Sequence, residues 1–205
     1  MATTHALAGV LVGVAALPLA PGAGTSLLLA GFVGGLAPDL DLYFAHRRTL
    51  HFPVYLPVAA GGAAGLALAA TTTATLALAV FLAAAALHAV TDLFGGGLEL
   101  RPWEATSERA VYSHFHGRWL APRRLVPYDG APSDLALASV LALPGLLAVE
   151  GGGSAGEPLA ALVTAALVVS VAYTLVRKRL PTLAESVAAL VPERARPYVP
   201  DRYLP

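Results

Sequence analysis

Six runs in this chain are almost free of charge, at roughly residues 6 to 20, 24 to 37, 54 to 70, 73 to 92, 135 to 149 and 158 to 176. They decide which solvent the chain can live in, because an isolated apolar run of this kind has no polar face to offer water. They lack two-residue polar alternation and are long and uniform, so they read as helices and not as barrel strands. A spanning helix needs about 20 residues. The first, second and fifth runs fall short of that, so the first pair is expected to be tilted, broken near Pro18, Pro21 and Gly34-Gly35, or a re-entrant hairpin. In each case the pair leaves and returns to the same side.

Composition agrees, with 57% hydrophobic and 13% charged residues over 205, too apolar for an ordinary soluble domain. The expected fold class is all-α, a polytopic integral-membrane helical bundle over residues 1–180 with a cytoplasmic amphipathic tail at 181–205. The formal net charge is zero, which gives no electrostatic case for nucleic acid. Cysteine is absent, so any metal would fall to imidazole and carboxylate. "MATTHALAGV" has no basic n-region and is not expected to be a cleaved signal peptide.

Flipping sides at each apolar run places all 13 Lys and Arg on one side, together with all six His and all six Asp. The opposite side receives only "LAPGAGT", "AATTTAT" and "EGGGSAGE". Basic residues collect on the cytoplasmic side, which predicts both termini inside and a multi-pass protein of the inner or plasma membrane. The same parity allows the His and Asp residues to meet at one face.

Within "ALHAVTD", His88 and Asp92 are four apart and share a helix face. An ionisable pair on an apolar span is a functional candidate by default, and this spacing suits two ligands of one metal. "APDLDLYFAHRRTLHFP" sets Asp39 and Asp41 beside an apolar helix end, where two carboxylates repel unless a cation or a shared proton is present. His51, next to the third helix, is the stronger ligand of that loop and His46 the weaker. His5 stands at the entrance of the first helix on the same face. His114 and His116 are further metal candidates, two apart and so on one side of an extended segment. Arg47 and Arg48 are candidates to meet a substrate phosphate, although an anchoring role at the membrane edge explains them equally well.

In their order and spacing, "MATTHALAG", "GGLAPDLD", "HRRTLH" and "ALHAVTD" resemble the YdjM-like family of inner-membrane metal-dependent hydrolases, over roughly residues 1 to 105. Where that family shows an "RGLTHS"-like segment, this chain keeps His51 but not the flanking hydroxyls. A more distant resemblance links it to zinc-dependent phospholipase C and the P1-type nucleases. That resemblance implies His5 as the early His, Asp39 or Asp41 as the loop Asp, His51 as the loop His, and His88 with Asp92 as a metal-bridging helix. It also makes Glu104 a candidate beside His114 and His116 for a third ion.

The resulting expectation is a hydrolase of a phosphoester such as a phospholipid headgroup, with two zinc ions or a third, and manganese or iron as alternatives. Asp39 is expected as the catalytic base, and His5, Asp41, His51, His88 and Asp92 as metal ligands. Membrane lipid and an amphipathic phosphoester are the expected partners. Alternatives are a membrane adaptor with a purely structural metal site and, with less support from the bare second side, a transporter.

Overall fold

The computed structural model describes residues 2–150 and 156–199. It is mostly helical. Helix α1 (Ala2–Ala16) continues through a short 3-10 turn at Leu17–Leu19, and α2 (Gly24–Leu36) runs directly into a 3-10 segment at Ala37–Tyr43. These extensions lengthen the two short runs, making Ala2–Leu19 and Gly24–Leu42 long and apolar enough to cross a membrane. The turn between them contains Pro18 and Pro21, as expected of residues that cannot continue a helix.

Helix α3 (Tyr55–Ala69) is shorter, and α4 (Thr73–Thr91) begins at a capping box in which Thr72 and Thr75 satisfy each other's backbone N–H groups. A long connection follows, holding the antiparallel hairpin of β1 (Val111–Ser113) and β2 (Arg118–Leu120). Helices α5 (Pro132–Glu150) and α6 (Gly156–Val176) complete the apolar set, and α7 (Leu180–Ala189) follows at once. Thr73–Phe94 and Gly156–Val176 are the other two spans of membrane-crossing length, so four helices qualify among the described residues, while α3 and the apolar part of α5 are shorter. The loop expected at 150–157 lies largely outside the described residues, as do residues 200–205 of the tail.

Helix α1 is central, packing on α2, α4, α5 and α6, with α3 outside α4. Leu7, Val10, Leu28, Phe32, Ala138 and Val163 form the main buried cluster. The outward faces stay apolar: Val58, Leu68, Leu147 and Leu175 are all more than 60% exposed. Such a surface suits lipid better than water, and lipid removes the hydrophobic force between helices, leaving close packing to hold them together.

That packing relies on missing side chains. A Cβ on Gly9 would stand 1.9 Å from the Gly31 carbonyl oxygen, and one on Gly35 would stand 2.2 Å from that of His5. The backbones of α1 and α2 therefore touch, and the touching point lies beside the polar end of the bundle. Thr4 donates to Asp134 at 2.6 Å, and Asp134 in turn accepts from the Gly130 N–H at 2.8 Å, tying the start of α1 to the start of α5.

Candidate metal centre

Four side chains from three elements converge at that end. Asp39 comes from the 3-10 extension of α2, His51 from the loop before α3, His88 from the last turn of α4, and Asp92 from the residue that caps it. One donor atom of each lies within 4.8 Å of the others. His51 Nε2 is 3.2 Å from His88 Nε2 and 3.2 Å from Asp92 Oδ2. His88 Nε2 is 3.4 Å from Asp39 Oδ1 and 3.6 Å from Asp92 Oδ2, and His51 Nε2 is 3.8 Å from Asp39 Oδ1. His51, His88 and Asp92 are buried, whereas the Asp39 side chain is 23% exposed.

The hydrogen bonds behind the two imidazoles fix what faces the centre. His88 Nδ1 meets the Gly35 carbonyl at 2.6 Å, an acceptor only, so Nδ1 carries the proton. His51 Nδ1 meets Asp41 Oδ2 at 3.0 Å, again an acceptor. With an Nδ1 proton held on the outer side of each, the two rings when neutral turn their Nε2 lone pairs toward each other and toward two carboxylates. Asp92 Oδ2 has no hydrogen-bond partner despite its burial. Lone pairs and carboxylate oxygens this close, away from water, require positive charge between them.

Three carboxylates, those of Asp39, Asp41 and Asp92, meet one guanidinium here. Arg47 donates to the Gly96 carbonyl at 2.8 Å and to Asp92 Oδ1 at 3.4 Å, with its Nε 3.2 Å from Asp92 Oδ2. With the imidazoles neutral, an excess of two negative charges is left over, which a divalent ion would offset. Imidazole and carboxylate without thiolate suit zinc, and also manganese or iron. In the metal-free protein a proton on His51 offsets part of it: burial opposes the charge, but hydrogen bonding to Asp41 and Asp92 outweighs burial and raises its pKa above the ordinary 6.5.

The other expected residues take different places. Asp41, expected as a ligand, is fully buried with both oxygens engaged: Oδ1 by His46 Nδ1 at 2.9 Å and the Arg47 N–H, Oδ2 by His51 and the Leu50 N–H. It orients His51, and His46 shares it. Arg47 takes a left-handed conformation with φ of 59°, which folds the loop back so that residues on both sides of it reach Asp41. Asp39, expected as the base, contributes one of the four converging donors. His5 stacks on His88 with ring centroids 3.9 Å apart and its Nε2 3.7 Å from Asp92 Oδ1. Both of its ring nitrogens are buried without a hydrogen bond.

Arg48 turns outward over the Tyr112 ring. His114 Nε2 donates to the Arg48 carbonyl at 2.7 Å, tying the hairpin turn to the loop before α3, and His116 Nδ1 pairs with Ser113 Oγ at 2.8 Å. Glu104 sits in the 3-10 turn Pro102–Glu104.

A cavity of about 440 Å³ opens against Asp39 and Asp92. Glu99 borders it with both carboxylate oxygens buried and unpaired. Sequence reasoning passed over this residue; the available signal was a carboxylate two residues beyond the glycines that end α4. On the far wall Asp129 accepts from Tyr173 and from Arg177 at 3.1 Å. Burial opposes ionisation of Asp129, but Arg177 and the Tyr173 hydroxyl help to hold its pKa below the ordinary carboxylate value.

Searches of protein-family models, of curated proteins and of solved structures return no match to this chain.

Proposed function

We propose that the chain is a multi-pass membrane protein, with both termini and its His/Asp cluster on the cytoplasmic side, that hydrolyses a phosphoester with the help of divalent metal. One observation carries the reading: two imidazole Nε2 atoms 3.2 Å apart face a buried carboxylate oxygen that has no hydrogen bond and only the Arg47 guanidinium as ion partner, at the edge of an open cavity bordered by Asp39 and Asp92. The four candidate spans and their exposed apolar faces support the membrane setting, and the one-sided distribution of Lys and Arg supports the orientation. The order of motifs shared with the YdjM-like hydrolases points the same way.

Asp39, His51, His88 and Asp92 would hold the metal, zinc by first preference. His5, aimed at the second oxygen of Asp92, would begin a second position. A divalent ion held by these residues would supply a lowered water pKa and charge to offset phosphoryl oxygens. Asp39 is our choice for the base that accepts the water's proton, because it is the most exposed of the four and borders the cavity. Asp41 holds the His51 ring and its tautomer. Arg47, committed to Asp92 and Gly96, acts by fixing Asp92 and not by meeting substrate. The open cavity favours catalysis over an adaptor role, in which the coordination sphere would be closed.

Purified full-length protein should hydrolyse p-nitrophenyl phosphate or its diester once loaded with zinc, lose that activity to EDTA, and lose it in Asp39→Asn. Zinc-loaded protein inert toward both esters, or activity indifferent to chelation, would overturn the reading.

A further inference from the structure

Among the described residues, two arginines line the cavity beside the metal centre, Arg47 and Arg177, and the fold uses them differently. Arg47 is spent, with Nη1 on the Gly96 carbonyl and the rest of its guanidinium turned to Asp92. Arg177, which follows α6 directly, is only 8% exposed. Its Nε donates to the Asp129 carbonyl and to Asp129 Oδ2, both at 3.1 Å, and its Nη2 donates to Oδ1 at 3.2 Å. Nη1 bonds to no described residue. It is nevertheless not sealed away as the Nε atoms of Arg47 and Arg124 are. A buried guanidinium on the cavity wall thus keeps one amino group accessible and uncommitted.

Its surroundings hold that guanidinium still. The Arg177 Cζ lies over the Trp103 ring, 5.4 Å from its centre, and Tyr173 gives its hydroxyl to the same Asp129 carboxylate. Asp129 can come this close because Gly130 follows it: φ there is 75°, and a Cβ would stand 2.9 Å from the Tyr173 ring. An arginine ordered in this way has already given up most of its side-chain freedom, so an anion arriving at Nη1 bears little of that cost. The remaining acidic wall of Asp39, Asp92 and Glu99 repels an anion wherever metal or guanidinium does not offset it. The space, about 440 Å³, has the volume of a small-ligand site.

We infer that Arg177 is a substrate-binding residue, its Nη1 donating to an anionic oxygen of the phosphoester while Asp129 and Trp103 hold the guanidinium in place. The inference rests on the hydrolase reading for the identity of the anion, but not for the existence of the anion site.

The test is the binding of phenylphosphonate, a non-hydrolysable phosphoryl probe, to zinc-treated full-length protein in detergent, read by isothermal titration calorimetry. Arg177→Gln alone strands the Asp129 carboxylate, so it is set beside Asp129→Asn/Arg177→Gln, which replaces the ion pair by two amides. Both variants should bind the probe weaker by roughly tenfold or more, the weight of one charge-assisted hydrogen bond. The double variant should keep its zinc content and its helical circular dichroism. In turnover of p-nitrophenyl phosphate its loss should fall on KM more than on kcat.

Probe affinity unchanged in the variants would overturn the inference, as would no binding by the unmodified protein. Affinity lost in Arg177→Gln but restored in the double variant would also overturn it, since Arg177 would then serve only to balance Asp129. Probe binding that depends on Arg177, in a protein that hydrolyses neither p-nitrophenyl ester, would leave the anion site standing and remove the hydrolase. Hydrolysis alongside unchanged probe affinity in the double variant would do the reverse.

Discussion

His51 and His88 form one pair in this molecule, and His114 and His116 form another. The first pair turns two Nε2 atoms inward at 3.2 Å, each ring held from behind by Asp41 or the Gly35 carbonyl. The second spends a ring nitrogen apiece, His114 on the Arg48 carbonyl in the loop before α3 and His116 on Ser113 Oγ. His51 and His88 are buried, whereas His114 is half-buried and His116 exposed. A ligand histidine needs an acceptor on its outer nitrogen to fix ring and tautomer, and a buried setting that makes the inner lone pair costly to leave alone. His114 has such an acceptor in the Arg48 carbonyl, but neither hairpin histidine has the burial.

If that account is right, the heaviest blow short of removing a ligand falls at the support. Asp41→Asn should weaken zinc binding by about 10- to 100-fold while leaving the helical content, read by circular dichroism, unchanged; zinc affinity equal to that of the unmodified protein would erase the distinction between the pairs. A smaller effect concerns protons. His51 has a raised pKa in the metal-free fold, so its stabilisation is fully present below about pH 6.5 and is lost as pH rises through the raised value. Metal-free protein should accordingly show a falling Tm as pH climbs from about 6, and zinc binding near neutrality should release a proton. Calorimetric binding enthalpies independent of the buffer's ionisation heat would show that His51 is already neutral. The smallest effect is expected at the hairpin, where His114→Ala and His116→Ala should leave zinc stoichiometry unchanged by elemental analysis. A loss of zinc in either would bring the second pair into the centre.

Much of this centre was legible in the residue order, because apolar surroundings make each polar residue conspicuous. His88 and Asp92 stand out for that reason, and helical spacing alone puts them on one face. Alternating sides along the chain was enough to bring Asp39 and His51 into their neighbourhood. Asp39 and Asp41 could not be told apart, since both flank the same helix end. Their roles follow from a 3-10 segment and from the left-handed backbone of Arg47, and nothing in "HRRTLH" announces that turn. Arg47 itself read as a residue for substrate or membrane edge, whereas the fold turns its guanidinium inward onto Asp92. Glu99 escaped notice because its neighbours on the cavity wall come from α1, α6 and α7, and a single chain of letters does not reveal such company. The first two helices looked too short to span until 3-10 turns extended them.

Divalent-metal binding by Asp39, His51, His88 and Asp92 is the property on which the proposed chemistry depends. Its most direct test is the metal content of full-length protein purified without chelator, set beside His88→Ala prepared in the same way. The account predicts at least one zinc, manganese or iron per chain in the first and none in the second. A metal-free unmodified protein that also fails to take up added zinc, or a variant that keeps its full complement, would contradict it.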